Sequence, residues 1–348
     1  MKRLALFLLP VLAFVLGAVA MAGWHDLRIN RAPAARDSTL DGSRMFSPSP
    51  ASTVDDDSSA EAFDATWPQD APTPEQVMYA QSDLLDLEVA KLKPRAPGKV
   101  NLYAIVFAGD GGQNVFRNEA EYFDELFSRR FDATDHVIVL ENNPASLTTR
   151  PLATWSNLES ALDAVASKMD PKQDILLLYF TTHGSEDHTL LVDMEPLPLD
   201  QIGAGDLPDI LAEHPFKYKV VIVNACYSGG FIPPLQGADT MIVTAARADR
   251  SSFGCGEQSE LTWFGHAFLV DALNKTDDLQ QAFQFARKEV GAWEKHDNFE
   301  PSEPQISIGR GIDSQLAKWR QGFAPGPAVP FAPAPATSPT SAPAGSMR

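Results

Sequence analysis

Cysteine is scarce in this sequence: among 348 residues there are two, Cys226 and Cys255. That excludes a scaffold built on disulfides, since two thiols make at most one bridge. Positive charge is also short, with 28 Lys and Arg against 46 Asp and Glu and a formal net charge of −18. Phosphate binding needs a basic footprint, so the balance argues against a nucleic-acid partner and is in itself a recipe for solubility. No internal repeat is visible. No Gly-x-Ser-x-Gly turn surrounds Ser228. No second pair of ligands follows His183, Asp187 and His188 to complete a metal site.

The chain does carry a targeting signature at its start. Lys2 and Arg3 precede an uncharged run from Leu4 to Gly23, interrupted by Pro10 and Gly17. A basic start, an apolar stretch and small residues (Ala18-Val19-Ala20, Ala20-Met21-Ala22) match a signal peptide. The run also has about the ~20 residues that a membrane-spanning helix needs. Cleaved or retained, it places the remainder outside the cytoplasm, on the periplasmic side of the inner membrane if the source is bacterial. In an oxidising compartment the two cysteines form one disulfide, or at least one stays a free thiol with work to do.

From about Leu27 to Pro97 the composition is rich in Pro, Ser, Ala and Asp, including Asp55-Asp56-Asp57, and reads as a solvated spacer. Within it, Val77, Leu84, Leu85 and Leu87 fall at helical spacing between Pro74 and Lys91 and predict a short helix packed on the domain. Beyond Val100 short apolar runs alternate with helical patterns. The runs are Val100–Ala108, His136–Leu140, Asp174–Phe180, Lys219–Asn224, Thr240–Thr244 and Gln305–Ile308. They are continuous rather than alternating, as strands buried on both faces of a parallel sheet must be. The spacing therefore predicts an α/β fold. After Gly322 a Pro/Ala stretch, with seven prolines in the last 25 residues, offers no pattern for a packed core.

Ligands of open parallel sheets gather beyond the carboxyl ends of the strands. Two such ends carry reactive groups: Thr181-Thr182-His183-Gly184 after the third run, and Asn224-Ala225-Cys226-Tyr227-Ser228-Gly229-Gly230 after the fourth. If these strands are parallel neighbours, a thiol and an imidazole leave the sheet on one edge. A free thiol, with pKa near ~8.5, is only slightly ionised at neutral pH, and an imidazole that takes its proton makes it a competent nucleophile. Gly184 leaves room for a substrate carbonyl, and its N–H with that of Cys226 can hold the oxyanion formed on attack. Such donors contribute roughly 3–4 kcal/mol each.

With these motifs in view, the sequence resembles the legumain-like cysteine peptidases, peptidase family C13, within the group that includes caspases and gingipains. The resemblance is carried by Leu176–His188, Val220–Phe231 and Ile242–Cys255. It implies a three-layer sandwich with a mostly parallel six-stranded sheet flanked by helices, the caspase-haemoglobinase-like fold. It implies His183 as catalytic histidine, Cys226 as nucleophile and Gly184 as oxyanion donor. Position by position, it also implies that Arg117, Ser251, Ser252 and Glu260 bind the substrate residue before the cut. Cys255 matches a family cysteine and need not be bonded to Cys226. Two positions depart from the family. Tyr227 stands where a glutamate follows the nucleophile. Val115 stands where a supporting asparagine is expected, with Asn114 one position away. The resemblance thus implies an endopeptidase that cuts after a polar residue, Asn or Asp, rather than after asparagine alone.

The expected organisation is a signal peptide or anchor at 1–26, a spacer at 27–97, a peptidase domain at 98–322 and a disordered tail at 323–348. Polypeptides are the expected partners, with the membrane added if the N-terminal segment is retained; no cofactor is called for. Two other functions share these features. A transpeptidase or transamidase would pass the same acyl group to an amine, and a non-catalytic membrane-tethered scaffold would keep the fold alone.

Overall fold

The computed structural model describes residues 67–256 and 259–334. In chain order its elements are α1 (Pro74–Tyr79), α2 (Gln81–Lys91), β1 (Leu102–Ala108), α3 (Asn114–Arg130), β2 (Val137–Glu141), α4 (Trp155–Lys168), β3 (Ile175–Thr181), β4 (Thr189–Leu190), β5 (Ile202–Gly203), α5 (Asp206–Ala212) and β6 (Tyr218–Asn224). Then come a 3-10 turn (Ser228–Phe231), α6 (Ile232–Leu235), β7 (Thr240–Thr244), α7 (Trp263–Gly265) running into a π-helix (His266–Ala272), α8 (Leu279–His296), β8 (Gln305–Ile308) and α9 (Arg310–Gln321).

Six strands form one sheet in the order β2-β1-β3-β6-β7-β8. All pairings are parallel except that of β8 with β7. This is the three-layer α/β sandwich that the continuous apolar runs require. In β1 the pleat sends Leu102, Ala104 and Val106 into one core and Tyr103, Ile105 and Phe107 into another. The first core takes Phe116, Phe123 and Phe127 of α3, Phe268 of the π-helix, Phe283 of α8 and Trp319 of α9. The second takes Leu158, Leu162 and Val165 of α4 with Leu207 and Ile210 of α5. The face of α3 follows helical spacing, and its Phe123 and Phe127 rings, four residues apart, stack at 4.0 Å.

Both flanking boundaries differ from expectation. The spacer was expected to reach residue 97, yet from Trp67 onward it is folded. Trp67 and Val77 are buried with Leu147 and Leu152, while Leu85 and Leu92 join the second core. Arg150 ties α2 to α3 through Glu88 at 3.2 Å and Glu121 at 2.6 Å. The few apolar residues of this acidic stretch are enough because they sit on one helical face, and the charges around them find a buried partner. At the other end, residues 323–334 are packed rather than loose. Val329 is fully buried, and Phe323 and Phe331 lie on the first core. The Val329 carbonyl accepts from Tyr122 Oη at 2.7 Å. Composition predicted a solvated tail because a proline-rich chain has no periodicity, but single apolar side chains on an extended strap bury well without any.

The expected N-terminal signal or anchor, most of the spacer and the tail beyond residue 334 lie outside the described residues. Among the described residues no helix is long and apolar enough to cross a membrane.

Candidate active site

Strands β3 and β6 run side by side, with Thr181 opposite Asn224 in the register. His183 and Cys226 stand two residues beyond that pair, so both leave the sheet at one rim between strands ~4.8 Å apart. The two loops touch. A Cβ at Gly184 would collide with the Cys226 carbonyl oxygen, which is why glycine is needed there. Neither the Gly184 nor the Cys226 backbone N–H donates a hydrogen bond in the described structure, which leaves both available to a ligand oxygen.

The half-buried Cys226 side chain is turned toward the loop that follows β7. Its Sγ lies 3.2 Å from Ser252 N and 3.5 Å from Ser252 Oγ. Donation from an amide N–H is the interaction a thiolate would use. No hydrogen bond joins the thiol to His183 in the described structure; such pairs are often open before substrate arrives. Both Cys226 and Cys255 are free thiols. Burial pushes the Cys255 thiol pKa up, with the neighbouring Cys226 adding to the effect, which favours its neutral form.

His183 is held from two sides. Its ring meets Phe116 edge-on at 5.1 Å, and its Nε2 lies 3.4 Å from Asp110 Oδ2. Asp110 was not among the expected residues. It follows β1 in Gly109-Asp110-Gly111-Gly112 and is 5% exposed. Gly112 N–H donates to its Oδ1 at 2.8 Å, which fixes the carboxylate. A polar side chain amid glycines at a strand's carboxyl end was the available signal.

Glu119 was also missed. It is fully buried on α3, and its carboxylate accepts from five donors. Oε2 takes Thr181 Oγ1 at 2.6 Å, Asn224 Nδ2 at 2.7 Å and Tyr179 Oη at 3.0 Å. Oε1 takes Thr262 N at 2.8 Å and Thr262 Oγ1 at 2.6 Å. Burial pushes its pKa up, and these donors pull it partly back. Thr181 and Asn224 are the residues from which the two active loops depart, so one side chain ties both strand ends to α3 and to the start of α7.

The expected substrate-binding residues do not all meet. Ser252 is at the thiol, and Ser251 Oγ is 3.5 Å from Tyr227 Oη. Arg117 is buried elsewhere on α3, with Nε 3.5 Å from Glu141 Oε1. It lines a cleft of about 440 Å³ with Gly111, Gly112, Asn114, Asn143 and the strap residue Ala334. Burial raises the Glu141 carboxyl to about 7, with Glu121 adding to the effect. Asn114 accepts from Asn143 Nδ2 at 3.1 Å and has no contact with His183, which is supported by Asp110 instead. Glu260 is exposed, and only its backbone carbonyl is engaged, by Asn118 Nδ2 at 2.9 Å.

Residues 156–315 match the model of the Peptidase C13 family. Over this stretch the chain is similar to that family. The match spans His183, Cys226, Ser251 and Ser252, and begins after Asp110, Arg117 and Glu119. The C13 domain is accordingly a cysteine peptidase domain, and polypeptides are its substrates. The crystal structure of drICE is similar to the chain at 13% identity, covering 62% of this chain and 91% of that one, with a TM-score of 0.37. A likeness that low adds nothing to what the strand order already establishes. No curated protein matches the sequence.

Proposed function

We propose that the C13 domain is an endopeptidase working through a Cys226–His183 pair. The Cys226 sulfur attacks the scissile carbonyl carbon, and the oxyanion is held by the N–H groups of Gly184 and Cys226. His183 carries the thiol proton to the departing amine, leaving a thioester on Cys226. It then takes a proton from water, whose oxygen attacks the thioester, and the freed thiol regains a proton. Asp110 positions the imidazole by holding Nε2, which leaves Nδ1 to exchange the proton. Ser251 and Ser252 flank the thiol, and their hydroxyls are suited to contact a polar residue before the cut, Asn or Asp. The basic and then apolar N-terminus supports action outside the cytoplasm.

The observation that carries this reading is the pairing of Thr181 with Asn224, which brings imidazole and thiol to one rim. Cys226→Ala is expected to lower kcat by at least about a thousandfold and leave the fold unchanged. Peptide cleavage at the wild-type rate by that variant would overturn the mechanism.

A further inference from the structure

His188 is the second histidine of the loop after β3, and the chemistry above leaves it unused. It shares a small hairpin with His183. The His183 carbonyl accepts from Leu191 N–H at 3.0 Å, His188 N–H donates to the Ser185 carbonyl at 2.9 Å, and the His188 carbonyl accepts from Ala204 N–H at 2.9 Å, just past β5. The His188 backbone is thus fixed on both sides, at a left-handed φ of +62°.

From that base the half-buried ring crosses to the loop of the nucleophile. Its Nδ1 lies 3.1 Å from the Tyr227 carbonyl oxygen. A carbonyl only accepts, so Nδ1 carries the hydrogen and donates it. The ring lies against Gly230, where a Cβ would stand 2.1 Å from His188 Cγ, so glycine is what admits the imidazole.

The carbonyl that His188 holds belongs to a strained residue. Tyr227 has φ +55° and ψ +14°, a left-handed conformation that a bulky side chain rarely adopts. Such conformations persist only where the surroundings impose them, and they cluster at functional sites. Here both neighbouring loops impose it. Tyr227 N–H donates to the Arg250 carbonyl at 2.7 Å, on the loop after β7, while the Tyr227 carbonyl takes His188 and, at 3.2 Å, Gly230 N–H. The phenol makes only long contacts, 3.4 Å to Glu186 Oε1 and 3.5 Å to Ser251 Oγ, so the turn is held through its backbone. Tyr227 directly follows Cys226 and shares a peptide unit with it. Release of the Tyr227 carbonyl lets the turn relax toward negative φ and swing that unit, and the Cys226 backbone with it.

We infer that His188 is a positioning residue for the nucleophile: its Nδ1–H holds the left-handed turn after Cys226 and so keeps the Cys226 N–H aimed at the oxyanion. The inference rests on the reading of Cys226 as nucleophile. It gives one hairpin two tasks, with His183 moving the proton and His188 fixing the loop that His183 serves.

Three variants separate the donor from the backbone. His188→Ala removes the ring. His188→Gly keeps the left-handed backbone without a donor. His188→Asn keeps both, since asparagine tolerates positive φ and carries an amide donor on a short side chain. On a fluorogenic peptide with Asn or Asp before the reporter, His188→Ala and His188→Gly should lower kcat at least about tenfold with KM within about threefold of wild type, and His188→Asn should stay within about threefold in both. Binding of the matching peptide aldehyde should weaken by the factor by which kcat falls. Addition of the thiol to it forms a C–S bond and moves the carbonyl electron pair onto the oxygen held by the Gly184 and Cys226 N–H groups. Alkylation of Cys226 by iodoacetamide expels iodide and forms no oxyanion, so its rate should stay within about twofold of wild type in all three variants.

Wild-type kcat in His188→Gly, a His188→Asn enzyme no faster than His188→Gly, or alkylation that falls in step with kcat overturns the positioning role. If His188→Ala does not fold, the glycine and asparagine variants alone decide. Cleavage by Cys226→Ala at the wild-type rate overturns the proposed mechanism itself. A wild type that is alkylated yet neither cleaves the peptide nor binds the aldehyde overturns the hydrolytic reading and the role of His188 with it.

Discussion

Replacing Glu119 by alanine should be among the most damaging single changes to this fold, although the residue lies in a helix crowded with other acids. In the Glu119→Ala variant, Tyr179 Oη, Thr181 Oγ1, Thr262 N and Thr262 Oγ1 each lose the acceptor they donate to. Asn224 Nδ2 keeps Thr262 Oγ1 at 2.8 Å and is spared. A buried donor left without an acceptor costs ~1–3 kcal/mol, so four of them, with some relief from hydroxyl rotation, cost about 4–6 kcal/mol. That is a large fraction of a typical total stability and corresponds to a fall in Tm of roughly 10–20 °C for a domain of this size. Glu119→Gln keeps the volume and one acceptor oxygen and should lose about 1–3 kcal/mol. Thermal unfolding followed by circular dichroism orders the three proteins. Below the Tm of the alanine variant, kcat/KM should still fall at least about tenfold, since both strand ends at the rim have lost their common tie. An alanine variant melting within about 2 °C of wild type, or folded and fully active, would refute the argument.

Three other outcomes follow from the geometry. Asp110→Ala should lower kcat about ten- to a hundredfold with KM little changed in steady-state kinetics, because it frees the imidazole without touching the substrate; an unchanged kcat would remove Asp110 from the site. Truncation after Gly322 strips Val329 and Phe331 from the core and should cost about 3–5 kcal/mol, whereas truncation after Ala334 should leave the Tm unchanged; equal melting of the two would deny the strap its role. Glu141, raised to about 7 from 4.5, binds its proton more tightly folded than unfolded, so its stabilising contribution is full below about pH 4.5 and is lost as pH rises through 7. The loss amounts to ~3 kcal/mol, and Glu141→Gln should flatten that part of the stability–pH curve; an identical curve would refute it.

The sheet and the two reactive loops were legible because buried parallel strands have to be continuously apolar, and because a histidine and a cysteine flanked by glycines at two strand ends are local in sequence. Asp110 and Glu119 were not, for different reasons. Asp110 reaches His183 only because β1 lies beside β3, a pairing that no local pattern records. Glu119 is one acid in the run Asn118-Glu119-Ala120-Glu121, and only the packing of α3 on the sheet turns it inward while Glu121 turns to Arg150. The placement of Arg117 depends likewise on Glu141 at the end of β2, and the strap on a handful of apolar side chains without a period.

The contact between Gly184 and the Cys226 carbonyl leaves no clearance between the two loops. Neither has room to slide toward the other. A turn about the Cys226 Cα–Cβ bond, a hop between staggered rotamers, carries the sulfur away from Ser252 without either loop moving. Such hops take picoseconds to nanoseconds, so arming the nucleophile need not wait for slower backbone rearrangement.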